Sequence, residues 1–72
     1  MIKTDIIYTV MENPHTMIEL MQAIHEPRHT IQKVVDELDK EKIVKTRRAN
    51  GFNIVSIRIG FHVSQVLKRM LN

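Results

Sequence analysis

No cysteine occurs anywhere in the 72 residues, which excludes disulfides and thiolate metal ligands. Glycine and proline are scarce, two of each, and 43% of the residues are hydrophobic. That balance favours a compact ordered fold over disorder. No apolar run approaches the length of a membrane span, and no charged-then-apolar signal segment opens the sequence. A soluble cytoplasmic protein with no membrane partner is the expectation. Repeats, low-complexity tracts and linkers are also missing. Residues 1–72 therefore form one small domain, near the lower limit of what buries enough surface to fold alone. Self-association is a common device for stabilising a core of this size when no staple is present. There is no nucleophile–base set and no phosphate-binding loop, so neither an enzyme activity nor a cofactor is expected.

What is present is a mild excess of cations: eleven Lys and Arg against eight Asp and Glu, a net charge of +3. This is compatible with a polyanionic partner without requiring one. Breaks fall at Asn13-Pro14, Glu26-Pro27, Asn50-Gly51 and Gly60. Before the first break, "TDIIYTVMEN" offers Thr4 or Asp5 as a helix cap and places Ile6, Ile7, Val10 and Met11 on one stripe. Next, "TMIE" has the form of a capping box, with Thr16 and Glu19 each able to satisfy the other's backbone N–H. Met17, Leu20, Met21 and Ile24 make the apolar face of that helix, which runs to about Ala23–His25. A third helix begins around Pro27, a residue suited to a first helical turn. Its apolar stripe is Ile31, Val34, Val35 and Leu38; Arg28, His29, Gln32, Lys33 and Asp36 face away. The period then becomes alternating. "IVKTRR", "ANGF" and "NIVSIRI" spell two antiparallel strands turning at Asn50-Gly51. "HVSQVLKRMLN" closes the sequence as an amphipathic helix over about 62–71.

The stretch "HEPRH", His25 to His29, matches the H-E-x-x-H signature of zinc proteases. That chemistry needs both histidines on one face of a continuous helix, with the glutamate activating a metal-bound water. Here Pro27 interrupts the helix: its ring strikes the carbonyl of Ala23, and it pushes Glu26 out of helical geometry. A third ligand is also needed, and His15 and His62 stand at no fitting spacing. The motif is read as coincidence, with no metal site.

Helix, capped helix, tight turn, longer helix and basic hairpin together resemble the winged helix-turn-helix family of DNA-binding domains, over nearly the whole chain. The resemblance is carried by "TMIELMQAIHEPRHTIQKVVDELDKEKIVKTRRANGFNIVSIRI". Thr16, Leu20, Ala23 and Ile24 stand where such domains place the cap and core of the first motif helix. Arg28-His29-Thr30-Ile31 is similar to the start of a recognition helix, and Ile43 and Val44 to the apolar pair entering the wing. His25, Glu26 and Lys42 depart from the pattern, which often has Gly, an apolar residue and Gly there; Lys42 must take a positive φ or leave the helix by another route. The resemblance implies an α+β fold: a three-helix core, a two-stranded hairpin wing and a C-terminal helix. The helix-turn-helix would cover about 16–41, the recognition helix about 27–41 and the wing about 43–59.

The implied function is sequence-specific binding of double-stranded DNA by a transcriptional regulator. Arg28, His29, Thr30, Gln32 and Lys33 are then candidates for the major groove, Arg28 or Lys33 toward guanine and Gln32 toward adenine. Lys45, Arg47, Arg48 and Arg58 are candidates for phosphate or the minor groove. Each has a plainer alternative: a charged helix face is usually just solvated, and hairpin arginines discourage edge-to-edge pairing. Asp36, Glu37, Asp39 and Glu41 argue against DNA along the second half of the third helix. His15 and His62 read as surface or helix-entry residues, and the methionines as adaptable core. The last helix either folds back over the first or pairs with a second copy through Val66, Leu67, Met70 and Leu71, giving a homodimer on paired half-sites. A protein-interaction adaptor built on the same fold is the alternative function.

Overall fold

A computed structural model describes residues 2–58 together with Gly60 and Lys68. Helix α1 spans Ile2–Glu12 and buries Ile6 and Val10. It starts earlier than its sequence suggests: Thr4 and Asp5 lie inside the helix rather than capping it, and Asp5 in the first turn complements the positive end of the helix dipole. The helix stops before Asn13-Pro14, because proline disfavours helical geometry in the residue before it.

After a two-residue strand β1, His15–Thr16, helix α2 spans Met17–Ile24. The capping box is formed. The Thr16 N–H donates to Glu19 Oε1 at 2.8 Å, and the Glu19 N–H donates to Thr16 Oγ1 at 3.1 Å. Met17 and Leu20 are buried, with Met21 and Ile24 packed against the same core. Ala23 corrects an expectation: it is exposed and takes no part in the core.

Between the motif helices the chain turns sharply. His25 caps α2 in the left-handed region at φ 61°, its N–H donating to the Met21 carbonyl at 2.9 Å. Pro27 is extended (φ −68°, ψ 159°) and occupies the N-cap, one residue before the first turn anticipated for it. Its carbonyl accepts from Thr30 and Ile31. Helix α3, Arg28–Lys40, buries Ile31, Val35 and Leu38. Its exit passes through Lys42 at φ 61°. The Ile43 N–H donates to the Leu38 carbonyl at 2.9 Å and the Lys42 N–H to the Asp39 carbonyl at 3.0 Å. These crossed bonds make a Schellman closure, with Ile43 packed on the core.

Strands β2 (Val44–Ala49) and β3 (Phe52–Ile57) pair antiparallel, Ala49 opposite Phe52 across the turn. Asn50 and Gly51 take φ of 52° and 80°, the signs a two-residue hairpin turn needs. The sheet has three strands, in the order β1-β3-β2, where the sequence suggested two. Strand β1 pairs His15 with Val55 and Thr16 with Ile54. Every element except β1 contributes to one core of Ile6, Val10, Met17, Leu20, Ile31, Val35, Leu38, Val44 and Val55. The C-terminal helix expected over 62–71, with Val66, Leu67, Met70 and Leu71, lies outside the described residues. Among those described, no helix is long and apolar enough to cross a membrane.

Candidate nucleic-acid interface

Because Ile31, Val35 and Leu38 anchor α3 to the core, the opposite side of its first turns points outward. Arg28, His29 and Lys33 are exposed, and Thr30 and Gln32 are half-buried. Spacing places Arg28 above Gln32 on one stripe and His29 above Lys33 on the next. Among the described residues neither Arg28 nor Lys33 has an ion-pair partner. Pro27 brings no side-chain hydrogen bond to the start of the helix.

The hairpin register sorts the wing residues by face. Val44, Thr46 and Arg48 of β2 share one face with their partners Ile57, Val55 and Asn53. Val44 and Val55 are fully buried, so this face starts in the core and emerges toward the tip as Arg48 and Asn53. Lys45, Arg47 and Ala49 alternate onto the other face, and Lys45, Arg47 and Arg48 are all exposed.

Two adjoining grooves, each of about 290 Å³, join the helix to the wing. One is lined by Gln32 of α3 and by Thr46, Arg47, Arg48 and Asn53 of the hairpin. The other brings Arg28 beside Ile18, Arg48 and Phe52. Met17, Arg48 and Asn53 belong to both. The structure thus gathers Arg28, Gln32, Arg47 and Arg48 along one trough. His29, Thr30, Lys33 and Lys45 do not line it. Thr46 and Asn53 join the site although the sequence reading did not select them. Asn53 was within reach of it, since a two-residue turn at Asn50-Gly51 closes Ala49 on Phe52 and therefore Arg48 on Asn53.

Arg58 sits elsewhere. Its Nε donates to the Val44 carbonyl at 3.1 Å and its Nη2 to Asp39 Oδ1 at 3.3 Å. It therefore links the end of the hairpin to the end of α3. Asp39 is one of three carboxylates on the second half of α3 and its C-cap that carry a partner. Asp36 accepts from Gln32 Nε2 at 2.9 Å, and Glu41 pairs with Lys3 of α1. The negative charge that opposed a polyanion along this helix is thereby offset by a cation at Asp39 and Glu41, while Asp36, bonded to a neutral amide, keeps its charge.

"HEPRH" is split, as its proline requires, between the left-handed end of α2 and the first turn of α3. No cluster of three metal-ligating side chains occurs among the described residues.

No protein-family model matches the chain. No curated protein matches it in sequence. Solved structures do match in fold. The transcriptional regulator BldR from Sulfolobus solfataricus superposes with a TM-score of 0.79 at 22% identity, covering 99% of this chain and 57% of its own. Reduced HlyU from Vibrio cholerae gives 0.81 at 14% identity, covering 97% and 76%. The transcriptional repressor BigR from Xylella fastidiosa gives 0.79 at 21% identity, covering 93% and 68%. The chain therefore spans little more than half the length of BldR and about three quarters of HlyU. In element order, in hairpin register and in its likeness to these structures, the chain has the winged helix-turn-helix fold.

Proposed function

We propose that this domain binds double-stranded DNA in a sequence-specific manner and acts in transcriptional regulation. The observation that carries the reading is the trough between α3 and the wing. It brings Arg28 and Gln32 from the helix together with Arg47 and Arg48 from the hairpin, and none of the three arginines has a protein partner among the described residues. An α-helix fits the major groove, and its N-terminal residues are the ones that reach base edges. Arg28 is proposed to bond guanine O6 and N7, with His29, Thr30, Gln32 and Lys33 reading or flanking neighbouring positions. The Gln32 amide, which donates to Asp36, keeps its carbonyl oxygen as an acceptor. Lys45, Arg47 and Arg48 are proposed to neutralise phosphates beside the groove, supplying affinity rather than specificity. Arg58 is assigned to holding the wing on α3 instead of touching DNA, because its guanidinium is already engaged. That the structural neighbours BldR and BigR are a transcriptional regulator and a transcriptional repressor supports the general role.

The test is selection of bound sequences from a random duplex pool, followed by mobility-shift titration. A defined consensus is expected. Arg28→Ala should weaken the selected site more than random DNA, whereas Arg47→Ala with Arg48→Ala should weaken both alike. A palindromic consensus, with a solution mass of twice the chain, would support the homodimer proposed through Val66, Leu67, Met70 and Leu71. Failure to bind any duplex at low salt would defeat the reading.

The adaptor alternative has one observation in its favour: an apolar groove of about 270 Å³ between the end of α1 and β3, lined by Val10, Met11, Pro14 and Ile57 among others. It predicts a stoichiometric protein partner whose binding ignores the hairpin arginines.

A further inference from the structure

Three large apolar side chains are exposed among the described residues: Tyr8 at 60%, Ile18 at 47% and Phe52 at 50%. Ile18 and Phe52 line the same groove, beside Arg28 and Arg48. Phe52 stands at the tip of the wing, directly after Gly51, opposite Ala49. The methyl group of Ala49 is too small a cross-strand neighbour to cover a phenyl ring, and Phe52 stays half exposed. The turn does not depend on it: Asn50 and Gly51 supply the two positive-φ residues, and the buried part of the hairpin is held by Val44 and Val55. The tip is thus a projection that pairs an aromatic ring with guanidinium groups at Arg47 and Arg48 that have no partner among the described residues.

That combination selects its partner by charge. An apolar protein surface would leave both arginines without compensation, while a solvated polyanion alone would leave the ring without a contact. A nucleobase step satisfies both, offering π-faces a few ångströms from phosphates. We infer that Phe52 is a wedge, inserted by the wing between two stacked bases of the bound duplex, while Arg47 and Arg48 hold the flanking phosphates. The inference rests on the DNA-binding reading above and adds to it a deformation of the partner. Apolar wedges of this kind unstack a base step from the minor groove and kink the duplex. Pyrimidine–purine steps yield most easily. The wing would thereby contribute sequence preference without a hydrogen bond to any base.

The experiment uses the full chain and duplexes of about 30 base pairs recovered by the wild-type protein from a random pool. 2-Aminopurine replaces each adenine in turn, and its fluorescence reports local unstacking at saturating protein. Wild type should raise the signal several-fold at one step per wing. Phe52→Ala, bound to saturation and with a thermal midpoint near wild type, should give no rise; Phe52→Leu, which keeps an apolar wedge, should restore it. Arg48→Ala should need more protein to saturate yet still produce the rise. An unchanged rise with Phe52→Ala overturns the inference, as does bound wild type with no rise at any adenine; DNA binding itself survives in both cases. If wild type recovers no duplex and binds none at low salt, the underlying reading fails and the wedge falls with it.

Discussion

Arg48→Ala and Arg58→Ala should separate cleanly in the salt dependence of DNA binding. Lys45, Arg47 and Arg48, the cations assigned to phosphates, have no ion-pair partner among the described residues. If each neutralises one phosphate, log K falls against log salt with a slope of about −2.7, and affinity drops roughly 40-fold between 50 and 200 mM. Removing Arg48 deletes one contact and should bring the slope to about −1.8. Arg58 is different, being bound to the Val44 carbonyl and to Asp39. The ion pair is about two-fifths exposed on each side, so it contributes at most about 1 kcal/mol. The charge-assisted bond to the carbonyl adds about 1.5–3 kcal/mol. Losing both loosens the base of the hairpin and its tie to α3, so Arg58→Ala should lower affinity by a similar factor at every salt concentration while the slope stays near −2.7. Fluorescence anisotropy of a labelled duplex at five or so salt concentrations measures all three slopes. A slope lowered as much by Arg58→Ala as by Arg48→Ala would refute the division between the residue that contacts phosphate and the residue that positions the wing.

Further expectations concern the turns and the cap. Lys42→Gly should stabilise the fold by about 1 kcal/mol in chemical denaturation, since Lys42 holds a left-handed conformation at φ 61° that costs an L-residue about that much. Thr16→Ala removes the side-chain cap of α2 and should cost about 1 kcal/mol by the same assay. The Glu19 carboxylate is held below its ordinary value of 4.5 chiefly because the Thr16 backbone N–H donates to it. A group whose folded pKa is depressed stabilises the fold above its ordinary value and loses that contribution as pH falls through the lowered one. Acid titration followed by circular dichroism should therefore show a shallower low-pH loss in Glu19→Gln, which keeps an acceptor for the cap but has no charge to lose.

What the sequence disclosed was mainly local. The capping box needs only Thr16 and Glu19, three residues apart, and the hairpin only Asn50-Gly51 between alternating strands. Pro27 announced the bend because its ring cannot continue a helix from the preceding turn, though it can begin one. Lys42 was recognisable as a site of strain but not its outcome; it accepts positive φ because the bonds to Leu38 and Asp39 and the burial of Ile43 hold the closure together. Strand β1 was hidden, since two residues show no period and its partner β3 comes far later in the chain. Ala23 was misplaced because helical spacing says which residues share a stripe, not how wide the buried stripe is. The candidate site divided along the same line. Arg28 and Gln32 followed from the outward face of a periodic helix. The engagement of Arg58 by Asp39, and the meeting of Arg28 with Arg48, depend on how the hairpin packs against α3, which no local pattern encodes.

Residue-resolved chemical-shift mapping, as a selected duplex is titrated into the isotopically labelled chain, locates the surface that meets DNA. The largest perturbations are expected at Arg28, His29, Gln32 and Lys33 and from Arg47 to Asn53, with the exposed face of α1 around Tyr8 unmoved. Perturbations centred on α1 and the apolar groove beside Pro14, with α3 and the wing unchanged, would contradict that assignment.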